Sequence, residues 1–137
     1  MVVYQMMKKP SEYTPLVLAY IGDAVYEAYT RKRILMQNPD MPAHKLHMEN
    51  IKYVKAKAQS KSISAIEPLL TEEEMTVFKR GRNAKSKMAP KNADILDYRR
   101  ATGLEALFGY LHLGGKSERL AELMELAFNN ANNGITE

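Results

Sequence analysis

The chain has 137 residues, 45% of them hydrophobic and 26% charged, which fits one globular domain and excludes an intrinsically disordered composition. It has no cysteine, which excludes a disulfide framework and any thiolate metal centre and suits a reducing compartment. The formal charge of +4 is uneven: residues 1–78 carry 10 basic and 9 acidic side chains, residues 79–100 carry 8 and 2, and residues 101–137 carry 2 and 5. Basic charge concentrated in one stretch is either a grip for a polyanion, most often nucleic acid, or a solvated lysine-rich face.

The pattern is helical throughout, so an all-α fold is expected. The N-terminal MVVYQMMKKPSEY has too short an apolar run for a signal peptide, and its lysines follow that run. No run approaches the ~18 apolar residues of a membrane span, and a soluble cytoplasmic protein is expected. Thr14-Pro15 reads as an N-cap with proline in the first turn, opening a helix to about Leu35. Asn38 to Pro42 is a loop. A second helix starts near Ala43 and runs, with a break expected near Ser60–Ser62, to Ile66, where Glu67-Pro68 stops it. Thr71 and Glu74 form a capping box that opens a short helix to about Arg82. Residues 81–91 read as a polar, basic loop. A long helix is expected from about Asn92 to Leu113, closed by Gly114-Gly115, and a last one from Ser117 to about Asn130. One domain, residues 1–137 with a core over about 10–130, accounts for all of this, and the tail 131–137 should fray.

LAYIGDAVYE, residues 18–27, places Asp23 and Glu27 one turn apart in an apolar helix, with Gly22 beside the first. A buried carboxylate needs a partner, because an isolated ionised one costs several kcal/mol. Arg31, Lys32, solvent or a metal ion are the alternatives. ATGLEALFGYLHLGG repeats the arrangement, with Glu105 among apolar residues between Gly103 and Gly109. Two acids on two apolar helices, each beside glycine, suit an oxygen site for a hard divalent cation; two unrelated surface acids are the alternative. His44 and His47 share a helix face, but with only His112 besides them they are poor material for zinc. In FKRGRNAKSKMAPKN, residues Lys79, Arg80, Arg82, Lys85, Lys87 and Lys91 are spaced by small residues. With few aromatics for base stacking, that loop fits backbone recognition of a duplex, or else a solvated loop.

LAYIGDAVYE resembles the signature of the ribonuclease III family, roughly LEFLGDAVLE, and ATGLEALFGYLHL resembles that family's second catalytic helix, roughly ADxxEALIGAxYL. The order and separation of the two stretches fit as well, and the basic GRNAKSK loop in a short chain resembles the family's short bacterial form, which lacks a double-stranded RNA-binding domain. The resemblance covers about residues 10–130. It implies the ribonuclease III endonuclease fold, an obligate homodimer, and a catalytic divalent metal, magnesium with manganese as a substitute, on Asp23 and Glu105. Two family carboxylates do not carry over: their positions fall on Ala19 and Thr102, so waters, Thr102 or substrate phosphates would complete a thinner shell. Glu27 is a weaker candidate on the same face. The implied substrate is double-stranded RNA, in particular the paired ends of large-subunit (23S) ribosomal RNA precursor, with a large-subunit ribosomal protein as a further partner. The basic stretch would then replace the missing RNA-binding domain.

Two other readings compete. A catalytically inactive member of the same fold would bind structured RNA during ribosome assembly, as the losses at Ala19 and Thr102 suggest. A helical DNA-binding regulator would want its basic residues on a recognition helix, whereas here they cluster in a loop.

Overall fold

The computed structural model describes residues 8–91 and 94–132. Six α-helices follow one another: α1 (Pro15–Gln37), α2 (Ala43–Val54), α3 (Ala56–Ile66), α4 (Glu72–Asn83), α5 (Ile95–Leu113) and α6 (Ser117–Asn130), with single 3-10 turns at Pro10–Glu12 and Glu67–Leu69. Among the described residues there is no strand, and no helix is long and apolar enough to cross a membrane.

The helix ends follow the local chemistry. Thr14 Oγ1 accepts from the Val17 amide at 3.3 Å, and Pro15 occupies the first turn. Asn38 closes α1 with its backbone amide and with Nδ2, which donates to the Ile34 carbonyl at 3.0 Å. The capping box of α4 forms as the spacing predicts: Glu74 N donates to Thr71 Oγ1 at 3.1 Å, and Thr71 N donates to Glu74 Oε1 at 2.9 Å. α5 ends at Gly114-Gly115, where Gly115 has φ +69°, a value that glycine adopts without strain.

Two boundaries differ from expectation. The break in the second helical stretch falls at Lys55, not near Ser60–Ser62. Lys55 is extended, with ψ 153°, ending α2 and beginning α3 in one residue. The serines are buried inside α3, where Ser62 Oγ donates to the Ala127 carbonyl of α6 at 2.7 Å and Ser60 accepts from Arg100 of α5. Polar residues that read as a break are therefore contacts between helices. α4 also extends to Asn83, so only residues from Ala84 onward are loop. The start of α5 expected near Asn92 lies outside the described residues, as do residues 133–137 of the tail.

α5 is the centre. Residues 101–104, 106–109 and 111 are all buried, so the middle of this helix is covered on most of its faces, by α1, α3, α4 and α6. Tyr26 of α1 packs on Phe108 of α5 with ring centroids 5.1 Å apart. Leu18, Ile63, Ile66, Phe78, Leu104, Leu107 and Leu123 complete the interior.

Candidate active site

The site begins at the crossing of α1 and α5. A Cβ added at Gly22 would lie 1.7 Å from the carbonyl oxygen of Glu105, and one at Gly109 would lie 1.9 Å from that of Leu18. The two backbones therefore touch, which only glycine at both positions permits. Gly103 serves another helix: a Cβ there would meet Phe78 of α4 at 2.7 Å. Asp23 follows Gly22 on α1, and the crossing brings it against Glu105 on α5, close enough for their carboxyl groups to share a hydrogen bond.

The two acids differ in setting. Asp23 is exposed and Glu105 is half-buried, so the pair opens to the surface. Burial first, and the negative charge of Asp23 second, push the Glu105 carboxyl up to about 8; the charge of Glu27 adds to this, and a hydrogen bond from Gln59 opposes it. Two carboxylates pressed together in a partly desolvated place repel each other, and a cation relieves both that repulsion and the desolvation.

Sequence reasoning missed the groups that hold these acids. Gln59 of α3 is 2% exposed, and its Nε2 donates both to Glu105 Oε2 at 3.1 Å and to the Val54 carbonyl at 2.8 Å. The opposite amide orientation would aim an oxygen at two acceptors, so the network fixes the orientation. Gln59 Oε1 is left buried without a hydrogen-bond partner. Asn50 of α2 is also 2% exposed; its Nδ2 donates to Glu27 Oε2 at 2.7 Å, and its Oδ1 accepts from Thr30 Oγ1 at 2.6 Å. Arg31 approaches the same Glu27 oxygen at 3.4 Å, so this arginine pairs with Glu27. A signal was present: Asn50 lies midway between Leu46 and Val54, and Gln59 begins the row completed by Ile63 and Ile66. A polar residue in an apolar row is what a buried hydrogen bond looks like in sequence.

The positions that lack family carboxylates are both buried, Ala19 and Thr102 at 7% exposure each. Thr102 Oγ1 donates to the Tyr98 carbonyl at 2.9 Å, which leaves only oxygen lone pairs for any other role. Among the described residues, no group of three or more His, Cys, Asp or Glu side chains is placed to hold a metal ion. The donors at the crossing, two carboxylates plus the orphaned Gln59 Oε1 nearby, are all oxygen. They fit a hard cation that keeps several of its own waters.

The basic residues divide. Lys79 and Arg80 are exposed on α4 and line a groove with Thr76 and Asn83. Lys85 and Lys91 line a second groove in the 84–91 loop, and Lys87 of that loop is exposed. Arg99 of α5, not among the expected contacts, joins the second groove. Ser86 and Tyr98 share a hydrogen bond of 3.1 Å that ties the loop to α5. Arg82 is half-buried, with its guanidinium 5.7 Å from the Phe78 ring centroid. Arg100 turns inward to the Ser60 hydroxyl and carbonyl at 2.8 and 2.9 Å and to Ser64 Oγ. The excess positive charge of residues 79–100 is thus partly structural. His44 and His47 are exposed on α2, and His112 is exposed near the end of α5.

The chain is similar to known proteins over most of its length. A family model described as the ribonuclease III domain matches residues 16–116, a span that includes both acids. The chain is 56% identical over 115 residues to the Mini-ribonuclease 3 of Clostridium tetani, covering 84% of this chain and 76% of that protein. It is 48% identical over 124 residues to the Mini-ribonuclease 3 of Brevibacillus brevis, covering 90% and 92%. A crystal structure of a Fusobacterium nucleatum protein superposes with a TM-score of 0.78 at 30% identity, covering 89% of this chain and 97% of that one.

Proposed function

This chain belongs to the ribonuclease III family, among its Mini-ribonuclease 3 members, and from that premise we propose that Asp23 and Glu105 form the catalytic metal site of a double-strand-specific endoribonuclease. The observation that carries the assignment is the glycine crossing of α1 and α5, which presses two carboxylates together at an open surface. Magnesium is the ion these donors suit, with manganese as a substitute. When bound, it supplies Lewis acidity that eases deprotonation of a water and offsets charge on the phosphodiester. Asp23 and Glu105 hold and orient it. Glu27, fixed by Asn50, adds negative charge beside them.

Lys79, Arg80, Lys85, Lys87 and Lys91, with Arg82 beside them, are assigned to the phosphates of the duplex. Their exposure along α4 and the adjoining loop supports this, and Arg99 extends the same surface. A second copy of the chain is assigned to α1, whose Leu16, Val17 and Tyr20 are 36%, 45% and 77% exposed. Apolar surface of that kind on the helix that carries Asp23 supports a homodimer with two sites for the two strands. The natural substrate is assigned as large-subunit (23S) ribosomal RNA precursor in the cytoplasm, with a large-subunit ribosomal protein as a further partner. The resemblance of LAYIGDAVYE, ATGLEALFGYLHL and the GRNAKSK loop to the family's short bacterial form supports that part.

The test is cleavage of a long perfect RNA duplex, with magnesium and with chelator, by the wild type and Asp23→Asn. Cutting by the wild type with magnesium alone is expected. Equal cutting by Asp23→Asn would sink the assignment of the site.

A further inference from the structure

Family carboxylates are absent at Ala19 and Thr102, yet Glu105 is not left without a neighbour. The side chain that reaches it comes from α3. Gln59 Nε2 lies 3.1 Å from Glu105 Oε2 and 2.8 Å from the Val54 carbonyl, so one amide group spans the α2–α3 junction and the acid. The junction explains its availability. Because Lys55 is extended, the Val54 carbonyl at the end of α2 needs a donor other than the next turn of helix. Gln59 fills that need from the first turn of α3, which fixes its side chain and aims Nε2 at Glu105. Its Oε1 is a buried acceptor without a partner, on a residue 2% exposed. An acceptor of this kind beside a carboxylate pair suits a donor such as a water in the shell of a bound cation.

We propose that Gln59 is a positioning residue of the nuclease: it orients Glu105 for the divalent cation through Nε2, and presents Oε1 to the cation's hydration shell. The inference rests on the assignment of Asp23 and Glu105 as the metal site. It adds a residue from a third helix and makes the α2–α3 break part of the catalytic architecture. Hydrogen-bond partners of metal ligands are typically worth about 10–100-fold in metal affinity or activity.

The test uses manganese as the probe. Binding of Mn²⁺ to the metal-stripped full chain is followed by electron paramagnetic resonance for the wild type, Gln59→Met and Asp23→Asn. Methionine is close to glutamine in shape and has no amide. Gln59→Met should weaken Mn²⁺ binding about 10-fold or more. Its affinity for duplex RNA in chelator should stay within about twofold of wild type, a factor worth only ~0.4 kcal/mol. A merely structural role would instead lower both together, or leave Mn²⁺ binding unchanged, and either result overturns the proposal. If Asp23→Asn binds Mn²⁺ as the wild type does, the metal site itself falls and Gln59 with it. If Asp23→Asn loses binding while Gln59→Met keeps it, only the role of Gln59 falls. A measurement on the wild type needs no variant to fold. The Gln59 side-chain amide resonances should shift on Mg²⁺ titration and saturate together with the Glu105 carboxyl carbon. A carboxyl that shifts while the amide stays still would overturn the proposal.

Discussion

Gly22→Ala adds one methyl group at the place where α1 and α5 touch. The new carbon would sit 1.7 Å from the Glu105 carbonyl oxygen, whereas a carbon–oxygen contact needs about 3.3 Å, so the helices must part by roughly 1.6 Å. The obstacle is backbone, which has no side-chain rotamer to yield. Overpacking a core costs about 1–3 kcal/mol, and a collision between backbones belongs at the upper end. Alanine gains back about 1 kcal/mol of helix propensity over glycine. The net loss is about 2 kcal/mol or more, which at roughly 3–4 °C per kcal/mol for a chain of this size lowers Tm by roughly 6–8 °C. Cleavage should suffer more than stability, because a displacement of about 1 Å between positioned groups can cost ~100-fold in rate. Thermal melting by circular dichroism and duplex cleavage in magnesium, at a temperature where the variant is folded, give both quantities. Gly114→Ala is the control: its Cβ would lie 3.2 Å from the Tyr110 carbonyl oxygen, so little need move. If Gly22→Ala melts at or above the wild type and cuts as fast, propensity alone governs the position, and the backbone contact that builds the site is refuted.

Four further predictions concern charge. Arg119 donates to both Glu74 oxygens, at 2.9 and 2.8 Å, and to the Leu69 carbonyl at 2.8 Å, so Arg119→Ala strands a carboxylate whose side chain is only 7% exposed. The loss should be about 3–5 kcal/mol in urea unfolding at pH 7. The Arg119 guanidinium beside Glu74 holds that carboxyl below its ordinary range, so this stability is present above the ordinary glutamate value and is lost as pH falls through the folded one. The gap between wild type and Arg119→Ala should therefore narrow in acid, and a gap independent of pH would contradict the ion pair. Glu105 has the opposite sign. Its folded form holds a proton up to about pH 8 while the unfolded chain releases it near 4.5, so in chelator the native state loses stability as pH rises between those values. Glu105→Gln should gain on the wild type over that window in thermal melts, and parallel curves would show that the carboxyl is not desolvated. Finally, Lys85→Ala, Lys91→Ala and Arg99→Ala together should weaken duplex RNA binding and reduce its salt slope by up to ~0.9 per lost phosphate contact on the B-DNA scale. Arg100→Ala should lower Tm and leave the slope alone, since its guanidinium is engaged with Ser60 and Ser64; a lower slope there would place Arg100 on the RNA.

The amino-acid sequence by itself determined the helical class, most helix ends and the two acids. Those features are local: a cap is written in three or four consecutive residues, as at Thr14-Pro15 and Thr71–Glu74, and an acid flanked by apolar residues and glycine is visible as such. The tertiary structure decided what the glycines are for. Gly103 and Gly109 look alike in sequence, yet one faces Phe78 of α4 and the other Leu18 of α1. It also decided which polar residues are interior. Ser60 and Ser62 read as a helix break and are contacts between helices, while Lys55, with no local signal, is the break. Arg82 and Arg100 read as free charge and are partly or wholly engaged in the fold. Gln59 and Asn50 read as ordinary polar residues, and they hold Glu105 and Glu27. Such roles depend on a partner twenty or more positions away, Glu27 for Asn50 and Glu105 for Gln59. Hydrogen bonding over that separation is created by the packing of whole helices, and no spacing along the chain encodes it.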